Sequence, residues 1–250
     1  MSVRRAAELL AGARRGVALT GAGVSAESGI PTFRGEGGLW TKYDPVKVSS
    51  IESFLADPAS YWSVSKERGR VALAARPNAG HLALAQLEAA GHLAAVVTQN
   101  TDGLHQAAGS RRVIELHGSG RMVECLTCGR REPRADVQER LETEMPPRCL
   151  QCGGTLLKPT VVLFGEAMPV PAVEEAFELA AAADVMVVAG SSLVVFPAAD
   201  VPLAALRAGA AMIVVNAEPT PLDRYAEVVI HGRSGEVLPE IVRWVTEPAT

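Results

Sequence analysis

Thr20-Gly-Ala-Gly-Val-Ser-Ala-Glu-Ser-Gly-Ile-Pro-Thr-Phe-Arg34 begins where Gly16-Val-Ala-Leu-Thr20 ends, an apolar run with the length and branching of a buried strand. Gly21, Gly23 and Ala26 take the G-x-G-x-x-A spacing of a dinucleotide-binding turn. In such a turn the first small residue permits a tight bend and the second lets the backbone approach a pyrophosphate. The third allows the helix to pack closely on the strand. A helix starting near Ser25 would aim its free N–H groups at that phosphate. Three spaced small residues also suit an ordinary strand-to-helix turn, so the spacing alone leaves both readings open.

A hydride-transfer dehydrogenase carries a second strand about 20 residues further on, ending in an acid for the cofactor ribose. Gly35-Glu-Gly-Gly-Leu-Trp40 stands in that place, too rich in glycine for a central strand. The turn is therefore expected to feed a long covering loop, which argues against hydride transfer.

The whole of Gly21 to Arg34 resembles the first signature of the sirtuins, the NAD-dependent protein deacylases, which reads G-A-G-x-S-x-x-S-G-I-P-x-F-R. Every fixed position is present, a far more specific match than three spaced glycines. The resemblance implies that Gly21, Ala22, Gly23, Ala26, Ile30, Phe33, Arg34 and Trp40 line an NAD site.

The bulk numbers are compatible with that. A chain of 250 residues has room for one large α/β domain and a smaller inserted module. Hydrophobic content of 48% with few aromatics suits an Ala/Val/Leu core, and a net charge of −4 gives no support for a nucleic-acid or membrane surface. No apolar run has membrane length and Met1-Ser-Val-Arg-Arg-Ala6 carries no signal pattern, so the expected location is the cytoplasm. Four cysteines in two close pairs then point to metal before disulfides.

Helical spacing marks residues 2–14. Two or three short helices are expected between Asp44 and Arg76, broken at Asp57-Pro58, and another helix from His81 to Ala90 closed by Gly91. Buried strands are expected at Leu93–Thr98, Val113–Leu116, Val161–Phe164, Asp184–Ala189, Ala211–Val215 and Glu227–Ile230. Helices are expected at Val173–Ala183, 198–209 and 235–246. This alternation predicts an α/β fold: a Rossmann-like, doubly wound parallel sheet covered on both faces, with a smaller inserted zinc-ribbon and helical domain. The expected division puts residues 1–35, 80–119 and 158–250 in the NAD-binding domain. Residues 36–79 and 120–157 form the small one.

Cys125-x-x-Cys128 and Cys149-x-x-Cys152 have the spacing of a four-thiolate zinc ribbon, each pair followed by a glycine, Gly129 or Gly153. Four soft ligands close a tetrahedron and leave no position for water or substrate, so one structural Zn2+ is expected. Thr98-Gln-Asn-Thr-Asp-Gly-Leu-His105 lies at the C-terminal end of a buried strand, where open parallel sheets hold ligands. It is equally a polar turn and helix cap, but it resembles the sirtuin motif T-Q-N-x-D-x-L-H. That resemblance assigns Gln99, Asn100 and Asp102 to nicotinamide and its ribose, Asn100 among the catalytic residues, and a structural role to His105.

Of five histidines, His81, His92 and His231 are read as packed or solvated side chains. His117 stands at a strand end beside Gly118, with the unperturbed pKa of a base working near neutrality. It matches the sirtuin L-H-G signature as general base. Gly190, Ser191 and Ser192 resemble the family's G-T-S, with Ser191 keeping the hydroxyl. By the same resemblance Asn216 and Glu218 meet the adenosine ribose and Ser234 the adenine. Lys158-Pro-Thr-Val-Val-Leu-Phe-Gly-Glu166 resembles the substrate loop. Val162, Phe164, Gly165 and Glu166 would then receive an extended acyl-lysine peptide as an added strand, or Val161 to Phe164 would simply be a buried strand.

The resemblance covers roughly Ala6 to Val242 and implies the chemistry of that family. The acyl oxygen of a modified lysine attacks the anomeric carbon of the nicotinamide ribose, nicotinamide leaves, and an alkylimidate forms. His117 draws a proton from the ribose hydroxyls, and water resolves the intermediate to lysine and O-acyl-ADP-ribose. Stray water must be excluded, and Phe33 with the loop at Gly35, Gly37 and Gly38 is the expected lid. Sirtuins favouring acidic acyl groups carry Tyr and Arg three apart after a tryptophan. In Trp62-Ser-Val-Ser65-Lys-Glu-Arg68 the arginine is present and serine replaces the tyrosine, so deacetylation is expected ahead of desuccinylation. Two rival readings use the same site: a mono-ADP-ribosyltransferase or NAD hydrolase, and a non-catalytic zinc-ribbon module that binds NAD.

Overall fold

The computed structural model describes residues 2–34, 38–41 and 43–246. Its strands are β1 (Gly16–Thr20), β2 (Leu93–Thr98), β3 (Val113–Glu115), β4 (Gly118–Cys125), β5 (Arg131–Pro133), β6 (Leu157–Val161), β7 (Val185–Ala189), β8 (Ala211–Asn216) and β9 (Val228–His231). The first six helices are α1 (Ser2–Gly12), α2 (Ala22–Ser25), α3 (Pro45–Ser49), α4 (Ile51–Ala56), α5 (Pro58–Ala74) and α6 (Ala79–Ala89). They are followed by α7 (Leu104–Ala107), α8 (Arg134–Arg140), α9 (Val170–Ala182), α10 (Asp200–Arg207) and α11 (Ser234–Thr246).

Six strands form one wholly parallel sheet in the order β3-β2-β1-β7-β8-β9. Continuous apolar sequence is what such strands need, because both faces are covered. Side chains alternate between two cores. Ala18, Val96, Val187 and Ile213 face one core with Leu10 of α1, Leu84 of α6 and Leu238 of α11. Val17, Leu19, Val97, Met186, Val188 and Met212 face the other, with Ala176 and Ala180 of α9 and Val201 of α10. Each buried Val, Leu or Ile contributes about 1.5–3 kcal/mol relative to exposure. Alanine on the helices permits close approach to the sheet. The fold is therefore the expected doubly wound α/β sheet.

Strand order reverses between β1 and β7. At such a switch point the flanking loops diverge and leave a crevice at the carboxyl ends of the strands. That crevice holds the glycine turn after β1 and Gly190 after β7.

The second sheet is antiparallel, in the order β5-β4-β6. Its core is Val123, Val137, Leu141, Leu157, Cys125 and Cys149 around the fully buried Trp62 of α5, whose Nε1 donates to the Leu157 carbonyl at 3.0 Å. The helices before it are set by capping. Asp44 accepts from Val46 N at 3.0 Å, Ser50 from Ser53 N at 3.1 Å and Asp57 from Ser60 N at 3.1 Å, with Pro45 and Pro58 at the first helical turns.

Several sequence expectations are corrected. The helix after the glycine turn starts at Ala22 and gives way to a 3-10 turn at Ala26–Ser28, so Ser25 closes it. The strand expected at Val161–Phe164 is β6, four residues earlier and in the antiparallel sheet. Pro159 within the run belongs to an edge strand, where an absent N–H is tolerated. Phe164 is exposed and only bridges to Ser50. Of the helices between Asp44 and Arg76, the last is long, not short. β4 begins directly after His117, where glycines and charged residues hide its alternation in the sequence. The lid glycines Gly35 and Gly37 lie outside the described residues, whereas Leu39–Thr41 forms a 3-10 turn.

Candidate functional site

The glycine turn is packed against backbone. Gly23 N donates to the Gly190 carbonyl at 2.8 Å, and Gly190 N donates to the Val215 carbonyl at 2.9 Å. A Cβ on Gly21 would meet the Gly190 oxygen at 2.8 Å, and one on Gly23 would meet the Gly190 Cα at 2.7 Å. One on Gly190, itself at φ +61°, would meet Val24 N at 2.3 Å. The spaced glycines thus let the loops after β1 and β7 touch. Gly21 is extended (φ −134°, ψ −170°), so its smallness serves contact, not a left-handed bend. A cradle bounded by main chain and small residues is what a dinucleotide phosphate needs.

The loop after β2 closes the cradle. Gln99 Nε2 donates to Ser191 Oγ at 2.8 Å. Buried Asn100 donates through Nδ2 to the Gly21 carbonyl and to Ser25 Oγ, both at 3.1 Å. Ser25 Oγ donates to Asp102 Oδ2 at 2.7 Å, while Asp102 Oδ1 accepts from Leu104 N at 2.9 Å. Asp102 thus bridges the turn before α7 and Ser25 of the glycine turn, one oxygen to each. Asn100's bonds to Gly21 and Ser25 both use its amide nitrogen and so fix the orientation of the side chain.

His117 is half-buried, and its Nδ1 lies 3.0 Å from the Gln99 carbonyl. A carbonyl oxygen only accepts, so Nδ1 carries the proton and Nε2 keeps its lone pair. Burial lowers the pKa of His117 from the ordinary histidine value, opposed by that hydrogen bond. The ring is neutral at pH 7 and able to take a proton.

Behind the cradle lies a second histidine pair. His81 is fully buried on α6 and sits 3.3 Å from Ser25 Oγ, its ring 4.8 Å from that of His105. His105 Nε2 lies 2.9 Å from Thr20 Oγ1, which donates to Thr98 Oγ1 at 2.8 Å. Burial pushes His81 down to about 4, opposed by Asp102, and His105 down to about 3, reinforced by His81. Both rings stay neutral. His81 is packed, one of the two fates expected for it, and it joins Asn100 and Asp102 through Ser25, which the sequence did not mark for this contact. Ser25 was visible as a fixed position of the signature, whereas His81 had no sequence signal beyond its place in the helix cap with Asn78.

Aromatic rings roof the other side. Phe33 and Trp40 are 5.1 Å apart, Trp40 and Phe164 6.3 Å, and the Arg68 guanidinium lies 5.3 Å from the Phe33 centroid. Ile30, half-buried, follows the same loop, and Arg34 is exposed. The segment Val162–Glu166 is tied beside them. Val162 N donates to the His117 carbonyl at 2.9 Å, Phe164 N to Ser49 at 2.9 Å, and Ile51 N returns to Phe164 at 3.0 Å. Gly165 adopts φ +87°, which suits glycine. Asn216, Glu218 and Ser234 stand further along the same sheet edge. Asn216 Nδ2 donates to the Glu218 carbonyl at 2.7 Å and Gly232 N to the Asn216 carbonyl at 3.2 Å. Ser234 begins α11, where Gly235 N donates to Glu27 at 2.7 Å. Ala22 and Ala26 flank the turn, and Ser192 is exposed.

The four cysteine sulfurs lie within 4.8 Å of one another, with Cys125–Cys152 and Cys128–Cys149 separations of 3.6 Å. A tetrahedral zinc with Zn–S bonds near 2.3 Å holds its sulfurs ~3.8 Å apart, so the set fits that ion. Gly129 and Gly153, at φ +74° and +72°, close each knuckle by donating to Cys125 and Cys149 carbonyls at 2.8 and 2.9 Å. All four ligand positions come from protein, which is a structural site.

The Sir2 family model matches residues 21–197. The NAD-dependent protein deacylase 2 of Archaeoglobus fulgidus is 52% identical over 243 residues, 97% of this chain and 96% of that protein. A Sir2 enzyme solved with deacetylated p53 peptide and 3′-O-acetyl-ADP-ribose superposes with a TM-score of 0.93 at 40% identity, covering 97% of this chain and 98% of the other. A Sir2 complex with p53 peptide and NAD+ gives a TM-score of 0.88 at 40% identity, covering 99% and 98%.

Proposed function

The chain belongs to the Sir2 family, and from that premise we infer that it is an NAD-dependent protein-lysine deacylase, moving the acyl group to ADP-ribose with release of nicotinamide. The observation that carries the reading is convergence. Loops after β1, β2, β3 and β7 bring Gly21, Asn100, His117 and Ser191 together through direct hydrogen bonds.

NAD, when bound, supplies an ADP-ribosyl group whose anomeric carbon exchanges nicotinamide for the acyl oxygen. The rest belongs to the chain. Gly21, Gly23 and Gly190 give the phosphates a wall of backbone, since a Cβ at any of them would clash. Asn100, held by Gly21 and Ser25, orients the carboxamide and ribose with Gln99 and Asp102. His117 Nε2 takes the proton from a ribose hydroxyl while Nδ1 stays pinned to Gln99. Phe33, Trp40 and Phe164 exclude water from the acyl-lysine stem. Asn216, Glu218 and Ser234 take the adenosine end. The peptide pairs with the Val162–Glu166 edge.

Acetyl-lysine is the preferred substrate, because serine at 65 stands where a tyrosine would give an acidic acyl group a second hydrogen bond beside Arg68. Residues 36–79 and 120–157 form a small domain beside an NAD-binding domain of residues 1–35, 80–119 and 158–250. Among the described residues no helix is long and apolar enough to cross a membrane. Four thiols kept for one metal ion suit a reducing, cytoplasmic setting.

Incubation with NAD and an acetyl-lysine peptide tests the reading. O-acetyl-ADP-ribose is expected as product; ADP-ribose alone would mark a hydrolase, ADP-ribosylated protein a transferase, and no nicotinamide a binding module. His117→Ala is expected to lose deacylation and keep NAD binding, and full turnover in that variant would remove the role assigned to the ring.

A further inference from the structure

We propose that Lys158 and Glu166 are a pair of positioning residues that hold the peptide-receiving segment in a pairing-competent shape. The proposal rests on the deacylase reading of the site. It does not follow from the exposure of the segment but from where one buried cation spends its protons. Lys158 is only 8% exposed on β6, unusual for lysine. Its Nζ donates to the Pro159 carbonyl at 3.2 Å, the Val161 carbonyl at 2.7 Å and Glu166 Oε2 at 2.9 Å. Three ammonium protons meet three acceptors, and every acceptor belongs to the strand end or the segment following it. The same Glu166 oxygen accepts from Leu163 N at 2.8 Å, and Glu166 N donates back to the Leu163 carbonyl at 3.0 Å.

The consequence is a closed turn. Val162 N is paired to the His117 carbonyl, Phe164 to Ser49 and Ile51, and Leu163 to Glu166. The ion pair draws the far end of the segment back to β6, so the general base and the peptide edge belong to one hydrogen-bonded frame. Glu166, read from sequence as a peptide contact, instead turns its carboxylate inward. Its contribution to the peptide passes through the backbone of Leu163–Gly165.

A buried ion pair that only stabilised the fold could be exchanged for apolar side chains at little cost. A positioning pair could not, because the Leu163 anchor would be gone. Three variants separate the two: Lys158→Met, Glu166→Gln, and the double Lys158→Met/Glu166→Leu. Steady-state kinetics with acetyl-lysine peptide and NAD are read beside peptide Kd and Tm. Wild-type deacylation is the baseline, and its absence would defeat the deacylase reading itself, not the pair. Given that baseline, each single variant is expected to raise peptide KM and Kd roughly tenfold, the scale of one lost buried charged hydrogen bond. KM for NAD is expected to hold. The double variant is expected to recover Tm and to keep the raised peptide Kd. Recovery of peptide Kd together with Tm, equal losses for NAD and peptide, or unchanged peptide Kd in Lys158→Met would each overturn the proposal.

Discussion

The two ring nitrogens of His117 do different work, and the difference is measurable. Nδ1 is committed to the Gln99 carbonyl, so in the proposed role of base the free nitrogen is Nε2, and burial lowers the ring's pKa below the ordinary 6.5. A base must be neutral to act, so activity is present above that lowered pKa and lost as pH falls through it. The acidic limb of a kcat/KM profile is therefore expected below pH 6.5; a midpoint above that value would contradict the burial argument. Arg68 supports a second residue-scale prediction. It stacks on Phe33, and burial lowers its pKa, opposed by Tyr61 and Tyr43. Acetyl peptides are expected to turn over faster than succinyl peptides, and Arg68→Met to cut residual succinyl turnover about tenfold more than acetyl turnover. Equal rates on the two peptides would show that Ser65 imposes no preference.

At the scale of elements, the proposed cofactor site depends on the contact between the β1 and β7 loops. Gly190→Ala adds a Cβ 2.3 Å from Val24 N at φ +61°, a clash with main chain that no rotamer relieves. Gly209→Ala is the matched control: φ is +93° but nothing lies within 4 Å of the added carbon. The control is expected to lose about 1–2 kcal/mol from left-handed strain alone. Gly190→Ala is expected to lose at least about 2 kcal/mol more and its NAD affinity, read by thermal melts with and without NAD. Equal melts for the two variants would mean that the loops separate freely. The G-x-G-x-x-A spacing was legible in the sequence, but its tertiary partner was not. Gly190 is 169 residues from Gly21 in sequence, and only the parallel β1–β7 pairing brings them together.

For the whole molecule, the tetrathiolate cluster and the core around Trp62 form one unit. Cys125 and Cys149 pack in that core, and Trp62 is hydrogen-bonded to β6, the strand that leads into the proposed peptide segment. Metal removal by a strong chelator is expected to loosen the antiparallel sheet, expose Trp62 and abolish deacylation. Binding of NAD, whose proposed site lies at the end of the parallel sheet, is expected to fall less than peptide binding. Tryptophan emission, zinc release and separate NAD and peptide titrations check this. Unchanged emission after complete zinc loss would show that the core stands without the ion.

The chain's residues alone determined the parallel sheet, because uninterrupted Val/Leu/Ala runs of strand length demand cover on both faces. They also determined the metal site, because two C-x-x-C knuckles have few other uses, and the family, because Gly21 to Arg34 matches at every fixed position. Only the tertiary structure decided what crosses between elements: Gly190 against the glycine turn, His81 behind Ser25, and Lys158 reaching Glu166. It also moved the strand expected at Val161–Phe164 back to Leu157–Val161, a purely local error that only sheet pairing could correct. The physical reason is range. Periodicity and spacing report what a residue's neighbours in sequence require, whereas a hydrogen bond across the sheet edge depends on which strands lie side by side.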